Sequence, residues 1–242
     1  MKRYVSVFQM IARCSIYKVL AVIGAMLAAQ GVCFYLSMIS PSGIAIEEYI
    51  DQSQYNLIFQ MAYVMITILL VLPGMDIGSK QSYTLQRLRI KEKRIFWLQA
   101  LYNLMAYVLL WGAQLVMLFV STMIYHKFLP DGIKYTNQTM FIAFHRNDFM
   151  HNILPLEDVY GWTFIILIGV SSAFTTAMFT KLRREENKFG LELLLLVAAV
   201  LIYFPRDLGY EIYSFSFGVF FVFAIMGFRA FMKKILEVNS RA

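Results

Sequence analysis

Ionised side chains are scarce in this sequence: Asp, Glu, Lys and Arg make up 15% of its 242 residues, while 60% are apolar and 16% aromatic. A soluble domain carries about 25% charge, and a chain of this size with so little would expose a large apolar patch to water. This argues against an ordinary soluble domain and makes lipid the missing partner. Cysteine is nearly absent too. Cys14 and Cys33 are the only two, and at 1.5 Å per residue in one predicted helix they stand about 28 Å apart. They are too distant to bridge and read as small buried residues.

Catalytic signatures are missing as well. No GxxxxGK[ST] loop occurs, so the chain does not hold ATP by that mechanism. Neither HExxH nor a GxSxG elbow is present, which leaves no nucleophile or metal-bound water beside a base. His145, Asp148 and His151 follow one another at intervals of three. On a helix each step drifts by about 60°, so the three converge only in part, and they read as a polar rim rather than a metal site. Glu185 and Glu186 lie in a charged run without convergent partners, the pattern of a solvated face. No predicted span has an acid at its centre, unlike ion-coupled carriers, and no polar segment is long enough to bind nucleic acid. The sequence therefore predicts no enzyme, no cofactor, no metal and no nucleic-acid partner.

What the sequence does have is a series of long apolar runs. They predict an all-α polytopic membrane protein with six transmembrane helices at about 19–38, 57–72, 98–125, 159–179, 190–204 and 212–231, forming a single domain over 1–242. Four Lys or Arg precede the first span, six fall in segment 76–97, four between Lys181 and Lys188 and four near the C-terminus, which is eighteen of the twenty-two. By the positive-inside rule both termini are cytoplasmic, the segment 126–158 is outside, and the protein is a multi-pass component of the cell membrane. Residues Met1 to Lys18 carry apolar positions Tyr4, Val7, Phe8, Ile11 and Cys14 at helical spacing. They predict an amphipathic N-terminal interfacial helix, with an extension of span one as the other reading.

Span one contains Gly24, Ala25, Ala28, Ala29 and Gly31, and span four contains Gly169, Ser171, Ser172, Ala173 and Ala177; both are faces suited to close helix contact. Span two is near the lower limit for a crossing and stands upright or borrows flanking residues. In span three, Gln99, Asn103 and Gln114 are costly in hydrocarbon, so they face the bundle interior, either as interhelical glue or along a polar path. The stretch MFIAFHRNDFMHNIL rests on the outer surface or dips into it, with His145, Arg146, Asp148 and Asn152 on the wet side. Asn137-Gln138-Thr139 has the form of a glycosylation acceptor.

The segment DIGSKQSYTLQRLRIKEKRIFW, 76–97, is a basic stretch between two apolar runs, with Leu85, Leu88, Ile95 and Phe96 on a broken apolar stripe. Six spans, both ends inside, the N-terminal MKRYVSVFQMIARCSIYK and above all SYTLQRLRIKEKRIFWLQALYNL resemble the membrane subunits of ABC exporters of the ABC-2 type. The resemblance implies that this loop carries a coupling helix seated on a separate ABC ATP-binding subunit. The ATPase-coupling residues would be Tyr83, Thr84, Leu85, Arg87, Leu88, Arg89 and Lys91. It also implies pairing with a second permease copy or a sister permease in the lipid bilayer, and a permease that is not itself an ATPase. The alternative is a non-catalytic membrane accessory or immunity protein that binds another integral membrane protein.

Overall fold

The computed structural model describes residues 2–39, 45–72, 92–128, 137–184 and 197. Span five apart from residue 197, span six, and the coupling residues Tyr83 to Lys91 lie outside the described residues. Among the described residues seven helices form, and three of them, α1 (Lys2–Ile39), α4 (Glu92–Phe128) and α7 (Val159–Arg184), are long and apolar enough to cross a bilayer. A fourth, α3 (Tyr55–Val71), meets the same criterion only together with α2 (Ile46–Gln52), from which it is bent by 48°. This is the make-up of a multi-pass membrane protein.

Each long helix buries one stripe at intervals of three and four residues. In α1 the stripe is Val7, Ile11, Ser15, Val19, Ile23, Met26, Gln30 and Phe34, all buried. It runs unbroken through Lys18, so the N-terminal segment is continuous with span one rather than a separate interfacial helix. At about 57 Å, α1 is far longer than the roughly 30 Å hydrocarbon core. Cys14 lies between Ile11 and Ser15 but off the stripe, which leaves it exposed, contrary to the buried position expected.

In α4 the buried stripe runs Ile95, Gln99, Asn103, Tyr107, Leu110, Gln114, Leu118, Ser121 and Tyr125. The helix begins by Glu92, so the last residues of segment 76–97 form its first turns, with Ile95 buried and Trp97 exposed. Span three is thus about 55 Å long, as the excess length of its apolar run suggested. Its closest packing is against α7, then against α1; α3 closes the ring by meeting α1 and α7.

The outward faces of these helices are apolar: Tyr17, Val32 and Leu36 on α1, Met105, Val108 and Val116 on α4, and Ile166 on α7 are all exposed. Such a belt is stable only against lipid or further apolar helices. Gly24, Ala25, Ala28 and Ala29 also face outward, because α1 meets its described neighbours through the bulkier stripe. On α7 the small residues Ser172, Ala173 and Ala177 are buried, in keeping with a close-packing face.

One end of the bundle is capped by α2, α5 (Asn137–Arg146) and α6 (Asp148–Ile153). At 17 residues α3 is about 26 Å long, and α2 with Glu47, Glu48 and Asp51 is too charged to extend it through hydrocarbon. The chain turns between them at Gln54, whose φ of 50° places a non-glycine residue in the left-handed region. Asn147 breaks α5 from α6: its Oδ1 accepts from Met150 N at 2.9 Å while its Nδ2 donates to Asp51 Oδ1 at 2.8 Å. The break turns α6 inward, burying Phe149, Met150, Ile153 and also Asn152, which the sequence had placed on the wet side. His145 and Arg146 are exposed as expected.

Candidate functional site

The amides on α4 organise the interior. Gln99, Asn103 and Gln114 are all buried, pointing between the helices as their cost in hydrocarbon requires. Each level of α4 brings partners from another helix. At the N-terminal end of α4, Ser15 Oγ donates to Tyr102 Oη at 2.8 Å beside Gln99. One turn on, Asn103 Nδ2 donates to Thr176 Oγ1 of α7 at 2.8 Å. The next turn holds two tyrosines stacked 4.9 Å apart, Tyr63 and Tyr107. Tyr63 Oη lies 2.6 Å from Ser172 Oγ, and Tyr107 Oη lies 2.9 Å from Thr67 Oγ1.

The donor in these pairs follows from local backbone bonding. Ser172 and Thr67 each spend their one hydroxyl proton on the carbonyl four residues back, Ile168 and Tyr63 respectively. The tyrosines therefore donate and the smaller hydroxyls accept. The same holds nearer the cap, where Ser121 donates to Met117 O and so accepts from Tyr55 Oη at 2.6 Å.

Two-thirds of the way along sits the pair that joins three helices. Gln30 Nε2 of α1 donates to Gln114 Oε1 of α4 at 2.8 Å and to the Tyr55 carbonyl of α3 at 3.3 Å. Both glutamines are 0% exposed. From Gln99 to Ser121 the column covers about 33 Å, the depth of a hydrocarbon core. Among the described residues three of its atoms have no hydrogen-bond partner: Gln30 Oε1, Gln99 Oε1 and Gln114 Nε2. Left unpaired in a dry interior, each such atom costs on the order of 1–3 kcal/mol, so among the described residues the column has donor and acceptor capacity to spare at two levels.

The chemistry of the column is that of neutral hydroxyls and amides. Among the described residues it contains no carboxylate. Among the described residues no three His, Cys, Asp or Glu are placed to hold a metal. The His145 and His151 rings pack edge to face with centroids 5.7 Å apart, at the cap and away from the column. Asp51 is the perturbed acid there: partial burial pushes its carboxyl above the usual range, the Asn147 hydrogen bond opposes the shift, and Asp148 and Glu47 add to it.

The sequence predicted the interior direction of Gln99, Asn103 and Gln114 but not their partners. Gln30, Tyr55, Tyr63 and Tyr107 went unremarked, although Gln30 is the one amide within the apolar run of span one. The seven coupling residues from Tyr83 to Lys91 are not among those the structure describes. No family model, curated protein or solved structure matches the chain.

Proposed function

We propose that the chain is the membrane subunit of an ATP-driven exporter, coupled to a separate ATPase through segment 76–97. The supporting observation is the polar column itself: a line of buried amides and hydroxyls as deep as a bilayer core, with capacity left over, among the described residues, at Gln30, Gln99 and Gln114. Glue alone needs no such surplus. Among the described residues the column has no acid, which suits an energy source outside it, and nucleotide binding on a partner is the source that the basic segment suits. Closure of the ATPase pair would push on Leu85 and Leu88, and α4, continuous with the end of that segment, would carry the shift to the column. A second permease copy, docked on the outward small residues of α1, would complete the path.

The other reading is an accessory or immunity protein without transport. It is favoured by the mutual satisfaction of the tyrosine and hydroxyl pairs, which by themselves explain α3, α4 and α7 held together. Affinity purification from native membranes in mild detergent separates the two. The exporter reading expects a nucleotide-binding subunit with the wild type and its loss from a folded Leu85→Ala, Arg87→Glu, Leu88→Ala variant. Recovery of a different integral protein, unaffected by that variant, establishes the accessory reading instead.

A further inference from the structure

A groove of about 320 Å³ lies between α3, α4 and α7, on the side of the bundle away from α1. Its floor is Phe59 and Tyr63 of α3, and its lips are Val108 of α4 and Ile166 of α7, which are 57% and 63% exposed. The polar atoms of Tyr63, Tyr107 and Trp111 on its walls are each hydrogen-bonded within the bundle. Tyr63 Oη bonds Ser172, Tyr107 Oη bonds Thr67, and Trp111 Nε1 donates to the Ile153 carbonyl at 3.0 Å. The groove surface is thus almost wholly apolar, and a polar or charged ligand would lose its hydration with little return.

Two further features define what fits. Trp111 and Trp162 meet edge to face, centroids 6.1 Å apart, and close the end nearer the cap. Gly169 opens the α7 wall, since a Cβ built there meets no atom within 4 Å. From Leu104 to Trp111 the groove runs about 10 Å along α4, continuous with the exposed belt formed by Met105, Val108 and Leu109. That belt is where the bilayer's own chains lie, so they are the apolar material with direct access.

We propose that this groove binds one acyl chain of a membrane lipid, held against the Tyr63–Tyr107 stack and stopped by the two tryptophans. The groove needs no transport activity to be filled, so its occupancy is separate from the exporter reading.

Tryptophan quenching tests it, because the chain has three tryptophans and Trp97 lies outside the groove. The full-length protein with Trp97→Phe, purified in detergent, is titrated with phosphatidylcholine bearing dibrominated acyl chains. The expected result is saturable quenching of Trp111 and Trp162 with a plateau near one lipid per chain. Gly169→Leu fills the groove from one wall and Val108→Phe narrows its mouth from the other; either, if folded, weakens the apparent affinity at least tenfold. Val116→Phe, at an exposed position of α4 outside the groove, keeps it. Quenching that rises in proportion to lipid without a plateau, or that is the same in both blocking variants, marks ordinary bilayer contact and overturns the proposal. Absence of quenching at every ratio, meaning a groove already filled by protein, overturns it too.

Discussion

Replacing Gln30 and Gln114 with methionine, singly and together, asks whether the column is held by its pairs. Methionine keeps the unbranched shape and removes only the amide. Gln114→Met deletes the 2.8 Å bond and one orphan atom, leaving Gln30 Nε2 with the Tyr55 carbonyl at 3.3 Å. The expected loss is about 1 kcal/mol, in line with hydrogen bonds between membrane helices. Gln30→Met is worse, because it strands both Oε1 and Nε2 of a Gln114 that is 0% exposed; about 2 kcal/mol is expected. The double variant leaves neither amide behind and should fall within about 1 kcal/mol of wild type. Non-additivity of about 2 kcal/mol follows, in the sense that the second substitution repairs the first.

Unfolding in mixed micelles, titrated with a denaturing detergent, measures all four corners of this cycle. Additive losses, or a double variant worse than Gln30→Met alone, would refute the pairing. The cycle also bears on function. If the column is only glue, the double variant transports or assembles as well as it folds. If it lines a path, the double variant folds normally while export falls at least tenfold, a split that packing cannot produce.

Three further outcomes are expected. Gly161→Ala places a Cβ 2.7 Å from both Pro155 Cβ and Asp158 Oδ2, pushing away the carboxylate that caps α7 through Gly161 N at 2.8 Å. Thermal melting should show a loss of about 1–3 kcal/mol, whereas Gly24→Ala, with open space around it, should gain up to about 1 kcal/mol. Asn147→Ala removes the α6 cap and the tie to Asp51; about 1–2 kcal/mol is lost, and hydrogen exchange should rise in 46–52 and 148–153 while α4 is unchanged. Asp51 titrates above its ordinary value in the folded protein, so protonation favours folding: its contribution is complete below about pH 3.9 and disappears as pH rises through the raised value. Melting curves from pH 7 down to 4 should therefore show the wild type gaining on Asp51→Asn, and the opposite trend would refute the assignment.

The long helices were legible because burial repeats at three and four residues, and amphipathic spacing within one chain segment is a property of that segment alone. Which side of a helix finds a protein partner is not. In α1 two faces compete, one of small residues through Gly24 and Ala28 and one of bulky residues through Ile23, Met26 and Gln30; the bulky face meets α3 and α4. The N-terminal boundary was obscured for a related reason. Basic residues at Arg13 and Lys18 resemble a membrane edge, yet both sit off the Ile11–Ser15–Val19 stripe and do not interrupt it.

Partnership across helices was the least legible feature. A buried amide announces that it needs an acceptor or donor, but the register that supplies one is set by packing, so Gln114 was visible and Gln30 was not. Asn152 shows the converse, since its burial follows from one side-chain cap at Asn147 that redirects six residues. The column itself combines both lessons. Four helices that differ in length each contribute a hydroxyl or amide at matching depth, and three of the contributions are tyrosines whose hydroxyls reach across a helix spacing to groups already bonded to their own backbone. Such a reach holds only at one register, so a sliding motion of α4 of even one turn would exchange every pair at once. Among the described residues Gln30 Oε1 and Gln114 Nε2 lack a hydrogen-bond partner, so on the proposed exporter reading these two atoms are where a shifted register would form new bonds.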